Sequence, residues 1–133
     1  GFLGSRPAGV VAAAWAVVHA LGRDGYLAIA QAIADRQRAV ADGLEATGAF
    51  RVVTEPHLGI MAVAPTDGTD VGALIDALAE RGWDLATNAE PPSIQIFPTP
   101  ALDVDELLAA FADAHAAAAG VTGGAIGTYG EGS

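Results

Sequence analysis

Residues 50–65 read Phe50-Arg51-Val52-Val53-Thr54-Glu55-Pro56-His57-Leu58-Gly59-Ile60-Met61-Ala62-Val63-Ala64-Pro65. Two β-rich runs lie in this stretch, Phe50 to Thr54 and Leu58 to Ala64, with Glu55-Pro56-His57 between them and Thr47-Gly48 ahead of them. Branched and aromatic residues suit a pleated, half-buried surface, and proline and glycine punctuate it. Working forward, Pro65 to Thr69 reads as a turn around Asp67-Gly68. Asp70 then caps a short helix whose inner stripe is Val71, Leu74, Ile75 and Leu78, with Gly82 just past its end. Trp83 to Thr87 predicts a third strand and Ser93 to Phe97 a fourth. Asp103, with Glu106 three residues later, is the aspartate form of a capping box. The helix it opens puts Leu107, Phe111 and His115 on one line, with Leu108 beside them.

Working backward, Asp24 caps a helix running to about Ala46, with an apolar stripe of Ile29, Ile33, Val40 and Leu44. On its wet face Arg38 stands four residues from Asp42 and three from Asp35, spacings that pair charges across a turn. Gly1 to Arg6 reads as a loop, and Pro7 fits the first turn of a helix, where its missing N–H costs nothing. Pro7 to Leu21 is apolar on every side and is expected to be buried on every side, against something outside this chain. Gly22 ends that helix. Trp15, Trp83, Phe97 and Phe111 are assigned to the core. From Gly120 onward the chain is a glycine-rich tail. No internal repeat is evident. The order helix, helix, strand, strand, helix, strand, strand, helix predicts an α+β fold: a small, mostly antiparallel sheet covered by helices and preceded by a long apolar helix.

With 133 residues, 52% of them apolar, the chain is long enough to bury a core as one domain. Its net charge of -10, from six arginines against sixteen acids, offers no broad basic face for nucleic acid or an anionic membrane. It has no cysteine, which excludes disulfides and thiolate metal sites. Nothing argues for secretion. The apolar run Pro7 to Leu21 falls short of the roughly 20 residues that span a bilayer and lacks the basic start of a signal peptide. It therefore reads as a buried helix.

Gly4-Ser5-Arg6-Pro7 leads directly into that helix. Free N–H groups at a helix start, with a hydroxyl and a guanidinium beside them, suit an anion; plain capping by Ser5 with Arg6 in solvent is the alternative. His19, His57 and His115 form no metal-binding pair, and no Gly-x-Ser-x-Gly elbow supports a serine triad. The run Gly123 to Gly130 follows a helix rather than a strand and has no Gly-Lys-Ser/Thr, so both nucleotide fingerprints fail. Asp103, Asp105 and Glu106 are explained by the dipole of the helix they open.

The runs Gly4-Ser5-Arg6-Pro7-Ala8-Gly9, Leu21-Gly22-Arg23-Asp24-Gly25-Tyr26, Arg81-Gly82-Trp83, Pro91-Pro92-Ser93-Ile94, Gly124-Ala125-Ile126 and Tyr129-Gly130 together form a known pattern. The chain resembles the C-terminal part of sphingosine-1-phosphate lyases and related group II decarboxylases, which depend on pyridoxal 5'-phosphate (PLP). The resemblance implies the aspartate aminotransferase fold, type I, in which a large domain carries PLP on a lysine and a smaller α+β domain closes over it at a homodimer interface. It implies that residues 1–119 are that C-terminal domain, 1–23 being an interdomain loop and helix and 120–133 a tail. It implies that Ser5 contacts a substrate phosphate with Arg6 as its neighbour, that the substrate is a small anionic or amino-acid-derived molecule, and that the enzyme is cytoplasmic. The resemblance places the family's Schiff-base lysine upstream of the Gly4-Ser5-Arg6-Pro7 match, in an N-terminal PLP domain missing here; all six basic residues of this chain are arginine. The resemblance leaves open a carbon–carbon lyase or an amino-acid decarboxylase. On the residues alone, a non-catalytic interaction module or a small-molecule-binding α+β module of the ferredoxin-like kind also stays open. The isolated chain is expected to be inactive.

Overall fold

The computed structural model describes residues 8–53 and 59–124. Three helices and four strands follow one another as α1 (Ala8–Ala46), β1 (Phe50–Val52), β2 (Met61–Pro65), α2 (Val71–Ala79), β3 (Ala86–Ala89), β4 (Pro92–Ile96) and α3 (Val104–Ala118). The chain divides into two compact units, residues 1–31 and 32–133.

In the first unit α1 is broken at Gly22, whose φ of 57° and ψ of -172° are not helical. That backbone region is open to glycine and strained for other residues, so the expected helix end is real, although helix resumes at once. Residues 8–24 are all exposed in this chain by itself, while the cover expected for them is external to it. Trp15, assigned to the core, is 64% exposed, and Ile29, assigned to an inner stripe, is exposed too. The described part of this unit is one helical stretch with no second layer of its own to bury an apolar surface against.

The second unit holds the core. The sheet is antiparallel throughout, in the order β1-β2-β4-β3. Strand side chains alternate between faces, and the register sorts them. Phe50, Val52, Met61, Val63, Ile94 and Ile96 share one face. There they join Val40 and Leu44 of α1, Leu74 and Leu78 of α2, and Leu107 and Phe111 of α3 in a single cluster. Phe111 is fully buried, its ring edge-on to Phe50 with 5.3 Å between centroids. Arg51, Ala62, Ala64, Ala86, Asn88, Ser93 and Gln95 share the opposite face. Phe97, also assigned to the core, is 49% exposed. It lies just past Ile96, whose side chain points to the helices, so alternation turns Phe97 the other way.

Local chemistry sets the helix ends. Asp70 accepts from Ala73 N at 2.8 Å and Asp103 from Glu106 N at 3.0 Å, so both predicted caps form. Gln37, missed as a core residue, is 5% exposed. Its amide donates to Ile60 O at 2.9 Å and accepts from Gly59 N at 3.1 Å, tying two backbone groups of the segment before β2 to α1. Arg38 pairs with Asp35 at 3.3 Å on the wet face, a contact worth little at that exposure. The strands start and stop within a few residues of their expected limits.

Candidate functional site

Ser5 and Arg6, the expected anion-binding pair, lie outside the described residues, as do His57 and residues 125–133. What the structure does place is the helix that follows them. Within it His19 Nδ1 donates to Trp15 O at 2.8 Å, and its ring lies 4.0 Å from that of Trp15. Both groups are in the exposed first unit.

In the second unit the fold brings together groups that are far apart in sequence. His115, in the last turn of α3, sits with Nε2 3.0 Å from Asp67 Oδ2 and 3.3 Å from Thr69 Oγ. The ring also meets Phe50 edge-on at 5.2 Å. Its side chain is 22% exposed, so the core line on which it was placed ends at the surface. Thr69 closes an Asx turn on Asp67, donating its N–H at 3.0 Å and its hydroxyl at 2.8 Å to Oδ1. These two hydrogen bonds, the backbone one first, hold the Asp67 carboxyl below the ordinary aspartate range, with His115 adding to the effect. A second carboxylate, Asp70, is held low by the Ala73 N–H and then by the Gly123 N–H. Among the described residues no group of three or more His, Cys, Asp or Glu could hold a metal ion.

On the sheet face turned away from the helices, Asn88 Nδ2 donates to Ser93 Oγ at 3.0 Å, and Ser93 donates to Pro91 O at 3.0 Å. Gln95 Nε2 donates to Asn88 Oδ1. The result is a row of locked amide and hydroxyl groups beside the small side chains Ala62 and Ala86. Neither this row nor the Asp67–His115 pair could be found from spacing, because their partners are not periodic neighbours.

The depressed carboxyls set a pH dependence. A carboxylate whose folded pKa lies below its unfolded value stabilises the fold above the unfolded pKa. That contribution is lost as pH falls through the folded pKa. The chain is therefore expected to lose stability at acid pH, below the ordinary aspartate range. Asp70→Asn, which keeps a capping acceptor and removes the titration, should flatten the curve. Urea unfolding from neutral pH down to strongly acid pH measures this, and parallel curves for the two proteins would contradict it.

No family model matches the chain. It is 30% identical over 93 residues to sphingosine-1-phosphate lyase of Oryza sativa, a stretch that covers 70% of this chain and 17% of that protein. It is 34% identical over 95 residues to a probable L-tyrosine/L-aspartate decarboxylase of Methanothermobacter thermautotrophicus, covering 71% of this chain and 25% of that protein. Among solved structures, the sphingosine-1-phosphate lyase of Burkholderia pseudomallei superposes with a TM-score of 0.79 at 29% identity, over 89% of this chain and 27% of its own. A C-DES mutant with glycine covalently linked to its PLP cofactor superposes with a TM-score of 0.56 at 25% identity, over 62% of this chain and 23% of its own. The chain thus spans 17% to 25% of the length of these curated relatives.

Held against that cofactor, the residues of this chain do not fit it by themselves. The sequence contains no lysine to carry PLP covalently. Two of the described arginines, Arg36 and Arg81, spend their guanidinium groups on backbone carbonyls of α1, α2 and α3 and the segment before α3. Among the described helices, none is long and apolar enough to cross a membrane.

Proposed function

The chain belongs to the family of sphingosine-1-phosphate lyases and group II decarboxylases; we propose that it is the small α+β domain of a PLP-dependent lyase, working with a larger lysine-bearing domain it does not itself contain. The observation that carries this reading is the superposition on the Burkholderia pseudomallei lyase, which takes in 89% of this chain and 27% of that one. The parent enzyme is a cytoplasmic homodimer that cleaves a carbon–carbon bond, either as an aldehyde-lyase on a phosphorylated amine or as an amino-acid decarboxylase. When bound, the cofactor supplies the electron sink for that cleavage.

In this reading the apolar surface of residues 8–24, exposed in the chain alone, is covered by the larger domain. The Ser5 hydroxyl donates to an anionic group of the substrate, and the Arg6 guanidinium adds charge beside it. Both hold the substrate rather than react with it. Residues 1–119 make the domain and 120–133 its tail.

The test is a chimera in which this chain replaces the matching 27% of the Burkholderia pseudomallei lyase. Aldehyde release from a phosphorylated amine, or CO2 release from an amino acid, is the expected result. A soluble chimera that takes up PLP and does neither overturns the reading. In the active chimera Ser5→Ala should lower kcat/KM for a phosphorylated substrate about 10- to 150-fold, the effect of roughly 1.5–3 kcal/mol for one hydrogen bond to a charged group. An unchanged kcat/KM for every anionic substrate would remove Ser5 from the site.

A further inference from the structure

Gly72 and Gly123 are the two halves of one close contact. Gly72 lies in the first turn of α2, and glycine is a poor helix former. Neither it nor Gly123 is there for backbone conformation, because the positive-φ glycines among the described residues are 22, 48, 59, 68, 82 and 120. The requirement is space. A Cβ on Gly72 would run into Gly124 O, and one on Gly123 would run into Ala73 N and the Gly72 carbonyl carbon. Gly124 is different: its nearest neighbour to a Cβ would be Asp76 Oδ2 at 3.8 Å, ordinary van der Waals contact.

Two carboxylates of the α2 region meet the same segment. Asp70 Oδ1 accepts from Gly123 N at 3.1 Å while capping α2, and Asp76 Oδ2 accepts from Gly124 N at 3.2 Å. Two successive N–H groups are thus taken up by two acceptors on one helix, across a contact with no room for a side chain. We propose that Gly72, Gly123, Asp70 and Asp76 form a backbone clasp that docks the segment after α3 onto α2 and fixes the point from which the chain continues past Gly124. The glycines of the tail are then not equivalent. Gly123 is required by the clasp and Gly124 is not. Composition alone, which reads residues 120–133 as one flexible glycine-rich run, assigns them the same role.

Nuclear magnetic resonance on the 133-residue chain tests this directly. In the wild-type protein a cross-relaxation peak is expected between the Gly123 Hα protons and the Ala73 amide proton. Its absence overturns the clasp whatever any variant does. Gly123→Ala should speed hydrogen exchange at amides 123 and 124 about 10-fold or more, and Gly124→Ala less than about threefold, because only the first opens the docked segment. Exchange at Val63 and Ile94 in the sheet reports whether the variants keep their fold. Equal acceleration by both substitutions, or none by either in a folded protein, overturns the proposal.

Discussion

Phe111→Ala is expected to destabilise the second unit by about 3–5 kcal/mol, the usual cost of deleting a buried aromatic side chain and leaving a cavity. Phe111 is fully buried at the centre of the helix-covered sheet face, edge-on to Phe50 and in one cluster with Leu44, Leu78, Ile94 and Leu107. These residues come from five different elements, so no single side chain can swing in to refill the space. A domain is stable by only about 5–15 kcal/mol, so the loss would consume a large part of it. Trp15→Ala is the contrasting change. It removes a larger side chain, but one that is 64% exposed, and the isolated chain should change in stability by less than about 0.5 kcal/mol. Urea unfolding of the three proteins decides between the sites. A shift below about 1 kcal/mol at Phe111, or a larger shift at Trp15 than at Phe111, would contradict the assignment of the core.

Both aromatics were assigned to the core from sequence, and the contrast shows which kind of inference the sequence supports. The caps at Asp70 and Asp103 were legible because capping is settled within three residues. The strands were legible because branched residues alternate between turn signals, and the fold class followed from the order of elements. Trp15 was misplaced because hydrophobicity reports that a surface wants covering, not whether the cover belongs to the same chain. Phe97 was misplaced because it is one residue past Ile96: with Ile94 and Ile96 facing the helices, alternation sets the next residue on the far side. The Asp67–His115 pair spans 48 residues and the Asp70–Gly123 contact 53, and neither leaves any periodic trace. The expected anion site at Gly4-Ser5-Arg6-Pro7 followed from a hydroxyl and a guanidinium at a helix start, with the family resemblance adding the substrate phosphate, and it falls outside the described residues.

Mixed with PLP, dialysed and reduced with borohydride, the chain is expected to carry no stable adduct on any side chain. The linkage requires a primary amine that can be deprotonated near neutrality, which proteins supply as a lysine whose surroundings lower its pKa. This sequence has no lysine. Its six arginines cannot substitute, because the guanidinium stays protonated at any pH a protein survives. The described arginines at 36 and 81 are also engaged with carbonyl oxygens. The α-amine of Gly1 is the one primary amine left, and reaction there is incidental chemistry that peptide mapping separates from the rest. Loose capture of the PLP phosphate near Ser5 and Arg6 would wash out on dialysis. The effect is therefore all or none: a stoichiometric adduct mapping to any residue other than Gly1 refutes the claim. The chimera with the larger lyase domain supplies the positive control, since it has a lysine from its partner domain and should label there, while the graft itself stays unlabelled. A label on the graft would mean that the division of labour between the two domains is wrong, with the small domain holding the cofactor itself instead of only closing over it.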